Sequence, residues 1–206
     1  MPHIISRTPY PKILDDALAA AQQVIPAAIL DRVQIRYEKV PYSPESKGSY
    51  DYATFTVYVS PLSDHPGMTL LHELGHALDA GLEGYGKDNS SGTASSIRAL
   101  YAKREARLDL PMTPLDPLLN RLLMAPQFVE LYTISRSDPR AHADISTTEL
   151  FARSFAQYVV ERSGQPDLLK ELRQKQQDKR LFQKFLQWPS GDFAPIADAY
   201  DLLLGL

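Results

Sequence analysis

The sequence predicts an α+β fold: a small mixed sheet formed early in the chain, packed on one central helix, with a mostly helical C-terminal half. Three observations carry this. Residues 32–38 and 53–60, both in the first third, alternate apolar and polar side chains. Apolar residues recur at helical spacing over 67–80 and 147–163. Sixteen prolines cut the remainder into short elements.

Residues 12–25 show helical spacing through Ile13, Leu14, Leu18, Ala21 and Ile25, and Pro26 ends or restarts that helix. Residues 32–38 read as a strand with Val33, Ile35 and Tyr37 on one face. The stretch 41–52 reads as a polar loop. Residues 53–60 read as the best strand, with Phe55, Val57 and Val59 opposite Thr54, Thr56 and Tyr58. A helix over about 67–80 has Ser63 or Asp64 as its expected cap, Pro66 in its first turn, and Gly81 and Gly84 as stops.

Residues 85–92 read as a flexible loop. The span 93–133 is helical but broken at Pro111, Pro114, Pro117 and Pro126, and 134–146 is a polar loop. A strong helix is expected over 147–163, capped by Ser146 or Thr147 and terminated by Gly164 and Pro166. A charged amphipathic segment over 167–187 and a short helix over 194–204 complete the chain. The whole is read as one domain, 1–206. Within it, 83–133 is a helical insertion or lid and 165–206 a helical C-terminal part.

The apolar fraction of 44% and charged fraction of 23% are those of an ordinary globular chain. A formal net charge of −3 with no basic stripe argues against nucleic acid as a partner. There is no run of 18 apolar residues to cross a membrane. The N-terminal residues lack a secretory pattern, so the expected location is the cytoplasm, or outside the cell by a signal-independent route. With no cysteine, disulfides, thiolate ligands and a Cys nucleophile are excluded, and any metal must be held by His, Asp and Glu.

The chemistry concentrates in the run LLHELGHALD, residues 70–79. His72 and His76, four apart on a helix, leave the same face and can share one Zn²⁺. Glu73 projects beside the metal, placed to take a proton from bound water and pass it to a leaving amine. Gly75, inside the motif, costs roughly 1 kcal/mol of helix propensity relative to Ala, which suits close approach by another backbone or a ligand. Asp79 either orients a ligand imidazole through its second N–H or caps the helix end.

A catalytic zinc normally has a third protein ligand. A histidine six residues after His76 would make a metzincin, but Leu82 stands there. Glu149, early in the 147–163 helix, is the preferred ligand. Ala152 and Ala156 follow on its side and let that helix lie close to another. Asp144, Glu130, Asp138 and Asp79 are the competitors.

HELGHALD paired with the distant ELFARSFAQY resembles the gluzincin-type metallopeptidases, in particular the group of the anthrax lethal factor catalytic domain and the Pro-Pro endopeptidases. Zincin domains of phage and mobile-element proteins carry similar helices. The resemblance covers about 66–82 and 146–160. It implies a zincin-like fold and a zinc endopeptidase with His72, His76 and Glu149 on the metal and Glu73 as general base. These families place an oxyanion-stabilising Tyr shortly before the glutamate, whereas the residue seven before Glu149 is His142. His142 is therefore the expected oxyanion donor, followed by Tyr132 and then Tyr158. The 73 residues from His76 to Glu149 exceed the expected spacing, and Arg153 stands where thermolysin-like enzymes carry an Asp.

The sequence thus predicts hydrolysis of a protein or peptide substrate, with an extended substrate adding alongside the 53–60 strand. Rival expectations are a catalytically silent zincin-fold binding module, or a host-directed effector or phage protease of narrow specificity. Oligomeric state carries no signal.

Overall fold

In the computed structural model, which describes residues 2–82, 115–136, 146–178 and 187–206, the two alternating segments pair side by side in one sheet. The first half runs β1 (Ile4–Ile5), α1 (Ile13–Gln22), α2 (Ala27–Leu30), β2 (Gln34–Tyr37), β3 (Gly48–Asp51), β4 (Thr56–Val59) and α3 (Pro66–Gly81). The rest supplies α4 (Asp116–Met124), α5 (Pro126–Ser135), α6 (Thr147–Ser163), α7 (Pro166–Gln176) and α8 (Ser190–Leu204).

The sheet order is β1-β2-β4-β3. β1, β2 and β4 are parallel, and β3 returns antiparallel to β4. This is the expected mixed α+β arrangement, with two strands the periodicity did not show. β1 has only two residues. β3 lies inside the stretch read as a loop, because its Gly-Ser-Tyr-Asp sequence has little strand propensity and buries only Tyr50. The 53–60 strand begins only at Thr56. Tyr52 to Phe55 form the hairpin turn, with Asp51 accepting from the Ala53 and Thr54 amides. Phe55 takes a left-handed φ of 53° there instead of a place on the strand face.

β4 consequently has a neighbour on each side, and the edge strand beside the central helix is β3. No substrate can add alongside β4; that correction moves the edge to β3, which among the described residues pairs only with β4. α3 packs on β3 and β4 with one side and on α6 with the other. Ile35, Val57 and Val59 from the sheet, Leu70, Leu71, Leu74 and Leu78 from α3, and Phe151 and Phe155 from α6 are all fully buried. Each such side chain stabilises the fold by about 1.5–3 kcal/mol.

α6 matches its expected bounds. Ser146 Oγ accepts from the Glu149 amide at 3.2 Å, and Gly164 closes the helix at φ 64°. α3 is capped differently from expectation: its N-cap is His65, and no side chain of its own segment caps it. Pro117 and Pro126, read as interruptions, instead stand in the first turns of helices, and Pro166, read as a terminator, follows the end of α6 and opens α7. α8 starts at Ser190, earlier than expected, and carries Pro195 inside it. Residues 83–114 of the proposed insertion lie outside the described residues, as does 179–186 of the charged segment. No helix among the described residues is long and apolar enough to cross a membrane.

Candidate metal centre

The helical repeat of α3 aims His72 and His76 at one point. Their Nε2 atoms are 3.2 Å apart and their rings lie at 90°. His72, Glu73 and His76 offer ligand atoms within 4.8 Å of one another, a group that could hold a metal ion. From α6, the carboxylate of Glu149 reaches both imidazoles. Its Oε2 is 3.3 Å from His72 Nε2 and its Oε1 is 3.3 Å from His76 Nε2.

Two close approaches build this. An added Cβ on Gly75 would stand 2.8 Å from the Ala152 Cα, so α3 and α6 meet backbone to backbone beside the histidines. An added Cβ on Gly48 would stand 2.7 Å from Glu73 Oε1 and 2.5 Å from Thr69 Cγ2, so β3 lies directly over the Glu73 side chain. The expected role of Gly75 is met, and Ala152 is the backbone that approaches it.

The N-terminus of α3 is held from far along the chain. Pro66 has no N–H, and the Thr69 amide bonds to the His65 carbonyl. The amides of Gly67 and Met68 donate to the carboxylate of Glu171 in α7, at 3.4 and 2.7 Å. This buried acid supplies the cap that neither Ser63 nor Asp64 provides.

The electrostatics of the cluster follow from burial and pairing. Desolvation pulls His72 down to about 4, against the hydrogen bond it donates to Glu149. Desolvation also lowers His76, but the Glu149 hydrogen bond and the charges of Glu73, Glu149 and Asp79 outweigh it and leave it raised. Burial favours a protonated Glu149, yet hydrogen bonds from His72 and His76 hold it well below the usual carboxylate range. Glu73 is pushed up to about 7, chiefly by burial. A neutral His72 and an ionised Glu149 are the states in which these groups ligate metals.

The structure brings His72, Glu73, His76 and Glu149 together. It does not bring Tyr132 with them: that residue lies on α5, half exposed and stacked on Phe128, and does not line the pocket at the histidines. The Tyr158 hydroxyl is committed to Asp201 at 2.6 Å. Glu130 is exposed on α5. His142, Asp138 and Asp144 lie outside the described residues. Asp79 is wholly buried, so it is no surface cap. Nor does it orient His76, whose Nδ1 has no hydrogen-bond partner.

A pocket of about 250 Å³ opens beside the histidines, walled by Ser46, Lys47 and Gly48 on the strand side and by Arg153, Ala156, Lys175 and Gln187 on the helical side. Of those residues only Arg153 and Ala156, which follow Glu149 on α6, carried a sequence signal. Tyr52, just past β3, was also missed. Its hydroxyl is held protonated, first by burial and then by the charges of Asp79, Tyr50, Glu149 and Glu73 around it.

No protein-family model, curated protein or solved structure matches this chain.

Proposed function

We propose that this chain is a zinc-dependent endopeptidase of the gluzincin type, with His72, His76 and Glu149 as ligands and Glu73 as general base. One observation carries the reading. The two imidazole Nε2 atoms stand 3.2 Å apart, and each lies 3.3 Å from a different oxygen of the one Glu149 carboxylate. Zinc bonds of about 2.0–2.1 Å in a tetrahedron place neighbouring ligand atoms about 3.3–3.4 Å apart, and each of these three separations is close to that spacing. Two imidazoles and one carboxylate are a donor set of catalytic zinc sites. Glu149 reaches both imidazoles from α6 while Glu73 stands on α3 between them, which supports separate roles for the two acids.

A bound divalent cation would acidify a water and polarise a carbonyl oxygen. The chain's own residues supply the rest. Glu73, buried and covered by Gly48, takes the water's proton on its carboxylate and returns it to the leaving nitrogen. The side of β3 away from β4, which pairs with no other strand among the described residues, offers backbone groups to an extended peptide, which holds the scissile bond over α3. Among the described residues, Tyr52 is a protonated hydroxyl that feels the charge of both acids, and it is the candidate oxyanion donor beside His142, which lies outside them.

The test is metal analysis of the purified chain, followed by peptide-library cleavage with and without chelator, in wild type and Glu73→Ala. Zinc-dependent cleavage by wild type, with zinc retained and cleavage lost in the variant, is the expected result. A wild type that holds zinc and cleaves nothing sinks the peptidase reading.

A further inference from the structure

We propose that the pocket beside this centre selects a carboxylate on the substrate, received by Arg153 and Lys175 at its helical wall. The inference rests on the peptidase reading and adds a substrate class to it. Arg153 follows Glu149 by one turn of α6, about 6 Å along the axis at 1.5 Å per residue. Both residues line the same pocket. The same pocket is lined by the acids Glu73 and Glu149 and, on α6 and α7, by the cations Arg153 and Lys175.

Arg153 is only 5% exposed, so its charge acts with less screening by water than a surface arginine's would. Its field reaches the centre, where it opposes protonation of His72. Lys175 lies beside Glu171, whose carboxylate is engaged by the Gly67 and Met68 amides. Arg153 and Lys175 each also interact with other groups of the chain. Across the pocket, Lys47 is engaged by the Leu62 carbonyl and lies 3.9 Å from Asp64.

A second observation points to a ligand at the same wall. Gln187 is 4% exposed and lines the pocket, and its Oε1 has no hydrogen-bond partner. A buried amide oxygen left in that state is costly, and a peptide N–H entering the pocket would satisfy it. An extended peptide advances about 3.3 Å per residue, so Arg153 is in reach of a side chain next to the scissile bond. It is equally in reach of a terminal carboxylate one or two residues on. A guanidinium fork receives either carboxylate in the same two-bond geometry.

The probes are internally quenched peptide pools with Glu, Gln or Lys fixed at each position in turn, each made with a C-terminal acid and a C-terminal amide. The readout is the ratio of kcat/KM between Glu and Gln pools and between acid and amide, in wild type, Arg153→Gln, Lys175→Gln and Lys175→Glu. Wild type is expected to favour a carboxylate at least about tenfold. That ratio should fall towards unity in Arg153→Gln and Lys175→Gln, and Lys175→Glu should move the preference towards Lys pools. Lys175 is part-exposed, so its variants remain informative if Arg153→Gln does not fold. A preference that follows Glu identifies a side chain, and one that follows the free acid identifies the chain terminus. If wild type cleaves no pool, the peptidase reading fails by itself. Fluorescence anisotropy with the same peptides, labelled, then decides carboxylate recognition by the same ratio. Equal rates or equal affinities across Glu, Gln, acid and amide overturn the proposal.

Discussion

Gly75 of α3 and Ala152 of α6 touch through their backbones, and this contact lets Glu149 span His72 and His76. Gly75→Ala sets two effects against each other. Alanine gains about 1 kcal/mol of helix propensity, while a forced overlap typically costs 1–3 kcal/mol. The overlap wins here because the atom in the way, 2.8 Å from the new Cβ, is main chain and has no rotamer to escape to. We expect a net loss of about 1–2 kcal/mol in urea unfolding and zinc binding weakened by about tenfold as the helices part. Gly191→Ala is the control, since a Cβ there meets nothing within 4 Å and should add up to about 1 kcal/mol. Wild-type zinc affinity in Gly75→Ala would show that helix spacing does not position Glu149.

Glu171 ties α7 to the start of α3, and its removal should be felt in stability. Glu171→Ala strands the amides of Gly67 and Met68 in a buried position, at a cost of about 1–3 kcal/mol. The pH dependence has a definite sign. Burial raises this carboxyl above its ordinary 4.5 in the folded chain. Folded protein therefore binds more protons than unfolded, and the stability this group contributes is full below 4.5 and is lost as pH rises through the folded value. Glu171→Gln keeps an acceptor without the titration. Its stability relative to wild type should improve as pH rises from about 4 towards 7. A difference that stays constant across that range would mean the carboxyl does not titrate as its burial requires.

Metal content separates the acids that sequence reasoning left in competition. Glu149→Ala should lose zinc, whereas Glu130→Ala, on an exposed face of α5, should retain it. Loading should also stabilise the wild type through linkage, by about 2.7 kcal/mol when free zinc stands at 100 times Kd. Thermal unfolding with and without chelator reads this directly. A melting temperature indifferent to zinc, or an unchanged zinc content in Glu149→Ala, removes Glu149 from the centre.

These expectations show where the sequence was legible. The two helices that build the centre were readable because their signals are local. His72 and His76 share a face by spacing, Ser146 and Gly164 bracket α6, and small residues at 75, 152 and 156 announce a close crossing. What stayed hidden depends on partners remote in the chain. Glu171 caps a helix that begins 105 residues earlier, and nothing near Pro66 reveals it. β3 pairs through its backbone, which a Gly-Ser-Tyr-Asp sequence does not advertise. Asp79 shares the histidine face by spacing, yet it is buried without a hydrogen bond to the His76 Nδ1 and acts on that ring through its charge.

β3 also yields the most specific prediction, because Gly48 is where the edge strand meets the general base. A Cβ at this position would lie 2.7 Å from Glu73 Oε1 and 3.1 Å from its Cγ. Gly48 has ordinary backbone geometry, so alanine introduces no conformational strain and the effect is steric alone. The atoms in the way belong to the movable side chains of Glu73 and Thr69. The fold can therefore yield, and the stability cost of Gly48→Ala should stay near about 1 kcal/mol. Catalysis cannot yield in the same way, since a displacement of about 1 Å in a reacting group costs on the order of 100-fold. Gly48→Ala should accordingly bind zinc as wild type does, keep most of its stability, and lose about one to two orders of magnitude in kcat. Parallel loss of zinc would place the damage at the ligands instead, and undiminished kcat would mean that Glu73 does its work from a position β3 does not set.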